Sequence, residues 1–221
     1  MTENFRQLKE NITQLKETFF LKRKDLTGDY TPEEKLKVAA YVTLVHGEFE
    51  NFFETVCWKK AQSSVSQFST SGSLSNTILG LLAFSDLCVS DYRELPKEDI
   101  KNGVTKKKLD KSIKKWDSSL LLEDRIKASL NTYNFLIEEN HGIKRANLLD
   151  MLLPIGFPTD NSIFNYAYFE NFDNFGEIRG NIVHHSGKQF VTQEKDPYEY
   201  EDLIQKLIED AERIDNIIEA L

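Results

Sequence analysis

The sequence predicts an all-α protein built as an up-and-down bundle of four to five long helices. Apolar residues recur at steps of three and four along most of the chain, which is the spacing of one helical face. Only five prolines and ten glycines occur in 221 residues, and no long stretch alternates apolar and polar residues as a half-buried strand does. A chain of this length can bury one sizeable core, so we expect a single domain over residues 1–221.

The first two helices are predicted from their apolar spacing and their start signals. Residues 2–26 form the first, with Thr2 as a candidate N-cap. Thr31–Glu34 starts the second, because it combines a capping hydroxyl, a proline at the first helical position and acids in the first turn. One uninterrupted apolar face covers residues 38–56, so we expect this helix at the centre of the core.

A less regular insertion is expected at residues 63–118. Residues 63–76 are rich in serine and threonine, which favours a loop, and residues 78–84 favour a short buried helix or apolar segment. Between residues 97 and 117, eight lysines accompany four acidic residues, a local charge of +4 in an acidic chain. This stretch is either a solvated face or a contact surface for phosphates.

The second half of the chain predicts four further helices. Two cover residues 123–139 and 144–153, with a turn at residues 140–142 between them. The next begins at Thr159 or Asp160 and runs to about His185, where Gly187 is a candidate residue for ending it. The last covers residues 198–221 with the alternating spacing of a bundle seam.

Charge and cysteine content exclude several classes of protein. The net charge of −8 argues against a general nucleic-acid coat, which needs a broad basic field. Cys57 and Cys88 belong to no C-x-x-C pair, so no metal site is predicted and both thiols are expected to be reduced. No apolar run approaches the roughly 20 residues of a membrane span, and the start lacks a signal-peptide layout. We therefore expect a cytoplasmic protein without a membrane partner.

The chemically richest stretch is residues 177–187, where Arg179 and His184 lie near the end of a predicted helix. Five residues of regular helix rotate the side chain by about 500°, so the two diverge by about 140°. They share a site only if the helix loosens near Gly180, or if a second copy of the chain completes the cleft.

This pair of residue types suits cleavage of RNA without a metal. Histidine can act as base or acid near neutral pH, and arginine offers a fork that matches phosphate oxygens. A histidine near a helix C-terminus also feels the negative end of the helix dipole, which favours its charged form. The alternative is structural, with Arg179 paired to a carboxylate and His184 a satisfied helix-terminal histidine.

Three stretches resemble the HEPN family of helical proteins, which carry R-x4–6-H near the end of a late helix. Arg179–His184 matches that motif and follows an acidic and aromatic run at residues 169–178. Two further stretches resemble stand-alone HEPN ribonucleases of the RiboL-PSP type. One is residues 40–54, and the other is residues 140–144 with the apolar residues that follow. One departure is Gly180, where the family often has a polar residue; Asn181 offers a polar side chain one position later.

The resemblance implies a metal-independent endoribonuclease without a cofactor, acting as a homodimer whose interface forms the active site. Arg179 would bind the phosphate and stabilise the transition state, and His184 would be the general acid or base. The expected substrate is RNA and the product a 2′,3′-cyclic phosphate. A toxin or antiviral role, with an antitoxin protein as partner, is also implied.

Three further residues are candidates for substrate contact: Asn181, His185 and Glu50. Glu50 forms an i, i+4 pair with His46 at the edge of the central apolar face, where a purely structural pair is the alternative. The competing function is a non-catalytic HEPN module that binds a partner protein or a nucleotide.

Overall fold

The computed structural model describes residues 2–25, 28–85, 121–158, 167–184 and 196–221. These residues contain seven α-helices, one short 3-10 turn and no strand, so the all-α prediction is confirmed. The α-helices are, in order, α1 Glu3–Phe19, α2 Pro32–Ser71, α3 Asn76–Ser85, α4 Leu122–Glu138, α5 Arg145–Leu152, α6 Ala167–His184 and α7 Pro197–Ala220, with the 3-10 turn at Leu153–Ile155. Five of the seven have 17 residues or more.

The described residues divide into two compact units. The first draws on Met1–Val56, His141–Leu149 and Thr159–Ala220, and the second on Cys57–Asn140 and Asp150–Pro158 with Leu221. None of the helices in the described ranges combines the length and the apolar composition that a membrane crossing requires.

The start signal predicted for α2 is present as a capping box. The Thr31 hydroxyl accepts a hydrogen bond from the Glu34 amide at 3.2 Å, and the Glu34 carboxylate accepts one from the Thr31 amide at 2.8 Å. These two bonds satisfy backbone donors that the helix leaves open at its start.

The first helix is shorter than predicted. It ends at Phe19 rather than at residue 26, because the Phe20 backbone turns to an extended conformation with ψ 164°. This turn lets the Phe20 ring pack on Tyr41 and Tyr198, each with a centroid distance of 5.2 Å. Burial of an aromatic ring outweighs the local helical pattern here.

The prediction of a loop at residues 63–76 is wrong over residues 63–71, which continue α2. The hydroxyls of Ser69, Thr70 and Ser71 each donate to a backbone carbonyl one turn earlier, at 2.9 to 3.1 Å. Hydroxyl residues satisfied in this way remain compatible with a helix. The helix then ends before Gly72, whose φ of +70° is typical of the residue after a helix C-terminus.

The other predicted helices are confirmed with shifted ends, as far as they lie in the described ranges. The helix over 78–84 is α3, and those over 123–139, 144–153 and 198–221 are α4, α5 and α7. The predicted starts of α6 at Thr159 or Asp160, the lysine-rich residues 97–117, Cys88, His185 and Gly187 lie outside the described residues.

In the first unit, aromatic residues join α2 to α6. Phe172 packs on Phe49 and Phe53 with centroid distances of 5.8 and 5.4 Å, and Phe175 packs on Phe49 at 6.5 Å. Rising residue numbers on α2 meet falling numbers on α6, so the two helices run antiparallel. Polar contacts add α7 to this unit, since Asn171 donates to Asp210 at 2.7 Å.

In the second unit, α3 approaches the 3-10 turn at backbone distance. A Cβ on Gly80 would lie 2.6 Å from the carbonyl oxygen of Pro154 and 2.9 Å from the Gly156 nitrogen. Glycine at this position therefore permits the approach. The Tyr133 hydroxyl, on α4, donates to the Met151 carbonyl at 2.7 Å.

Candidate active site

The candidate active site starts from the buried stripe of α6. Phe172 and Phe175 are fully buried, and Arg179 follows one helical turn after Phe175 on the same side of the helix. Side chains on a helix lean toward its N-terminus, so the Arg179 side chain lies over the turn that contains Phe175. Arg179 is thereby directed at α2 rather than at open solvent.

The Arg179 guanidinium is half-buried and has no fixed partner within the described residues. Its Nε atom is buried without a hydrogen-bond partner there, and no ion pair with a described carboxylate is present. Buried charges in proteins are normally paired and hydrogen-bonded. The structural alternative for Arg179, a standing pair with a carboxylate, is therefore not seen among these residues.

His46 on α2 lies against the same turn of α6. Its ring is stacked on Phe175 with a centroid distance of 6.3 Å and an interplanar angle of 20°, and the residue is 3% exposed. Burial, and secondly the charge of Arg179, lower the pKa of His46 to about 4. His46 is therefore neutral at pH 7, and its 3.8 Å approach from Nδ1 to a Glu50 carboxylate oxygen is no ion pair.

Glu50 lies one turn further along α2, with its side chain 23% exposed. Burial, together with the neighbouring Glu54 carboxylate, raises the pKa of Glu50, while the charges of Arg179 and His141 act in the opposite direction. Arg179 on α6, His141 in the turn before α5 and Glu54 on α2 therefore lie near enough to influence the charge of Glu50, and His46 is in contact with it.

The turn that carries His141 is fixed to α6 by its next residues. The Asp173 carboxylate accepts a hydrogen bond from the Arg145 amide at 2.7 Å and pairs with the Arg145 guanidinium at 3.1 Å. Asp173 thus caps the start of α5, where a helix has open backbone donors. Lys144 packs over Gly176, where a Cβ would meet the Lys144 Cγ at 2.7 Å.

His184 lies on another side of α6 from Arg179. The helix remains α-helical from Arg179 through Gly180 to His184, so the loosening that would bring the two side chains together is absent in these residues. Regular geometry separates them by about 140° around the axis and about 7.5 Å along it. His184 and Asn181 are both exposed, and the structure does not bring either beside Arg179 within one chain.

His141 belongs to the turn predicted at residues 140–142, and no sequence pattern indicates that it lies near Glu50. The position of this turn depends on tertiary contacts. Its neighbours Lys144 and Arg145 contact Gly176 and Asp173, which lie about 30 positions further along the chain. The three stretches of family resemblance meet here: residues 40–54 supply His46 and Glu50, residues 140–144 supply His141, and α6 supplies Arg179. Within the described residues no group of three or more His, Cys, Asp or Glu side chains is arranged to hold a metal ion.

An all-α chain whose late helix ends in R-x4-H, with the arginine directed at a central helix, has the features of a HEPN domain. The family model of RiboL-PSP-HEPN matches residues 3–220, nearly the whole chain, and the protein belongs to this family. Comparison with curated proteins gave no match, and comparison with solved structures gave none either.

Proposed function

We propose that the protein is a metal-independent endoribonuclease that cleaves RNA by attack of a 2′-hydroxyl on the adjacent phosphate. The observation that carries this proposal is the half-buried guanidinium of Arg179, which has a buried Nε and no partner among the described residues. A phosphate is the ligand whose charge and geometry match such a fork. Membership of the HEPN family supports the same reading.

In this proposal Arg179 binds the non-bridging phosphate oxygens and stabilises the charge that builds up on them in the transition state. His184 exchanges a proton with a reacting oxygen, as an exposed imidazole can. Asn181 lies on the same exposed side as His184 and is placed to contact the nucleotide, and His185 is proposed as a further contact. The products are a 2′,3′-cyclic phosphate and a 5′-hydroxyl end.

The direction of the two side chains supports a composite site in a homodimer. Because Arg179 and His184 point about 140° apart on a regular helix, we propose that Arg179 of one copy works with His184 of the other. A two-fold dimer that places α6 beside its symmetry mate provides two such sites. As a toxin or antiviral effector, the dimer would act on cytoplasmic RNA and be restrained by an antitoxin protein.

The test is RNA cleavage in the presence of EDTA by the wild type, Arg179→Ala and His184→Ala. Both variants are expected to lose at least about 100-fold in rate, the range for loss of a phosphate-binding cation or a proton-transfer group. Arg6→Ala is the matched control, because Arg6 is an exposed arginine on α1 that pairs with Glu3. Equal activity in all variants, or no cleavage by the wild type, contradicts the proposal and favours the non-catalytic module.

Mixing the two inactive variants tests the composite site. A heterodimer of Arg179→Ala and His184→Ala contains one site with both residues intact, and random exchange makes half of the dimers heterodimers. The mixture is therefore expected to regain about a quarter of wild-type activity. A mixture that stays inactive after subunit exchange shows that both residues act from one chain.

A further inference from the structure

Glu50 is a partly exposed carboxylate that accepts no hydrogen bond from the described residues, whereas a structural carboxylate usually does. Its side chain is 23% exposed, and one of its oxygens lies 3.8 Å from the Nδ1 atom of the neutral His46 imidazole. No hydrogen bond from a described residue reaches its oxygens, in contrast to Glu48, which accepts one from Asn11 at 2.7 Å. The lone pairs of Glu50 are thus available to a group that arrives from outside the chain.

The relation between Glu50 and Arg179 is the second observation. The charge of Arg179 acts on Glu50, yet within the described residues no direct ion pair joins the carboxylate to the guanidinium. Charges that are partly buried in a protein are normally paired. Because these two groups do not pair with each other, both can bind groups of a substrate.

We propose that Glu50 is the general base of the cleavage reaction, working beside Arg179. This inference rests on the ribonuclease activity proposed above. Glu50 removes the proton from the 2′-hydroxyl, and the resulting oxygen forms a bond to phosphorus. The bond from phosphorus to the 5′-oxygen breaks, and His184 in its protonated form gives its proton to that leaving oxygen. The reaction yields the cyclic phosphate and a 5′-hydroxyl, with one proton gained by Glu50 and one lost by His184.

The other groups that face Glu50 are less suited to this role. His46 is 3% exposed and stacked on Phe175, so its ring is not accessible to a nucleotide. His141 is exposed on the turn before α5, and its influence lowers the pKa of Glu50, which makes it a partner of the carboxylate rather than the base. Glu54 is a like charge that makes Glu50 a stronger base by raising its pKa. Arg179 serves the phosphate.

The first experiment compares Glu50→Gln with Glu48→Gln in the RNA cleavage assay. Loss of a general base lowers the rate by about 100-fold to 10,000-fold, so Glu50→Gln is expected to fall by at least about 100-fold. Glu48→Gln keeps an acceptor for Asn11 on the same helix and is expected to stay within about twofold of the wild type. Circular dichroism of both variants checks that the fold is intact.

The second experiment measures how the rate of cleavage depends on pH. If Glu50 had only a structural role, its pKa would not set this dependence. If Glu50 is the base, kcat/KM falls at low pH as Glu50 becomes protonated. Glu54→Gln removes the neighbouring like charge that raises the pKa of Glu50. The acidic limb of the profile is therefore expected to move to lower pH in Glu54→Gln, and the rate on the plateau should fall modestly, because Glu50 is then a weaker base.

The outcomes separate this inference from the proposed function. A wild type that cleaves RNA and depends on Arg179 and His184, but keeps its activity in Glu50→Gln, overturns the role of Glu50 alone. Loss of activity in Glu50→Gln together with an unmoved acidic limb in Glu54→Gln overturns the assignment as base. A wild type without any cleavage activity overturns the proposed function itself.

Discussion

Replacing the buried histidine of the candidate active site should change how the stability of the protein depends on pH. His46 has a pKa of about 4 in the folded chain, against 6.5 for an ordinary histidine. Between these values the unfolded chain binds a proton at residue 46 and the folded chain does not, so stability falls as the pH drops from 6.5 to about 4. At 1.36 kcal/mol for each pKa unit, the loss amounts to about 3 kcal/mol.

The measurement is urea unfolding at fixed protein concentration, from about pH 7 down to about pH 4, for the wild type and His46→Gln. The variant lacks the imidazole stacked on Phe175 and is expected to be less stable at pH 7. The difference between the two proteins should then shrink by about 3 kcal/mol as the pH falls. Comparison of the two removes the opposite contribution of Asp210 and Asp215, buried carboxyls whose pKa is raised in the folded state.

His184→Gln is the matched control, because it removes an exposed imidazole from α6. The difference in stability between the wild type and His184→Gln should not shrink as the pH falls, because this imidazole is exposed in the folded chain. If the curves for the wild type and His46→Gln are themselves parallel, His46 is not kept neutral by burial. The description of a neutral imidazole beside Arg179 would then be wrong.

Three further predictions concern stability. Burial raises the pKa of Asp215 above its ordinary 3.8, so the wild type should lose stability as the pH rises through that raised value, and Asp215→Asn should lack this dependence in urea unfolding. Gly80→Ala should destabilise the folded protein by about 1–3 kcal/mol, because the new Cβ meets the Pro154 backbone. Gly47→Ala places its Cβ in open space on α2 and should stabilise the protein by up to about 1 kcal/mol. Equal melting temperatures for the two variants would contradict this contrast. Arg179→Met should abolish cleavage yet raise stability by about 1 kcal/mol, since it removes a buried donor without a described partner, and a loss of stability would indicate a partner for that donor.

The helices that could be predicted are those whose signals are local. The capping box at Thr31 and the apolar face of α2 are both properties of neighbouring residues, and both are present in the structure. The end of α1 depends instead on the burial of Phe20 against rings from distant parts of the chain. The serine-rich end of α2 shows another limit, because hydroxyl side chains can bond to the backbone in a helix as well as in a loop.

The candidate site shows the same division between local and tertiary information. The spacing of Arg179 and His184 sufficed to predict that they diverge, since only helix geometry is needed. What Arg179 faces could not be predicted in this way, because His46 and Glu50 come from a helix more than a hundred residues earlier. The packing of Phe172 and Phe175 on the rings of α2 brings those two helices into register.

The position of Arg179 explains why a stable core and a reactive group occur on one helix. Phe172 and Phe175 are fully buried and hold α6 against α2, so the next residue on their stripe is held at the edge of the core. An apolar residue there would extend the core, whereas arginine places a charge that lacks a partner among the described residues. Such a charge lowers stability unless a ligand compensates for it. A phosphate bound by Arg179 should therefore stabilise the folded protein. Substrate binding then offsets the stability that this charge costs in the free protein.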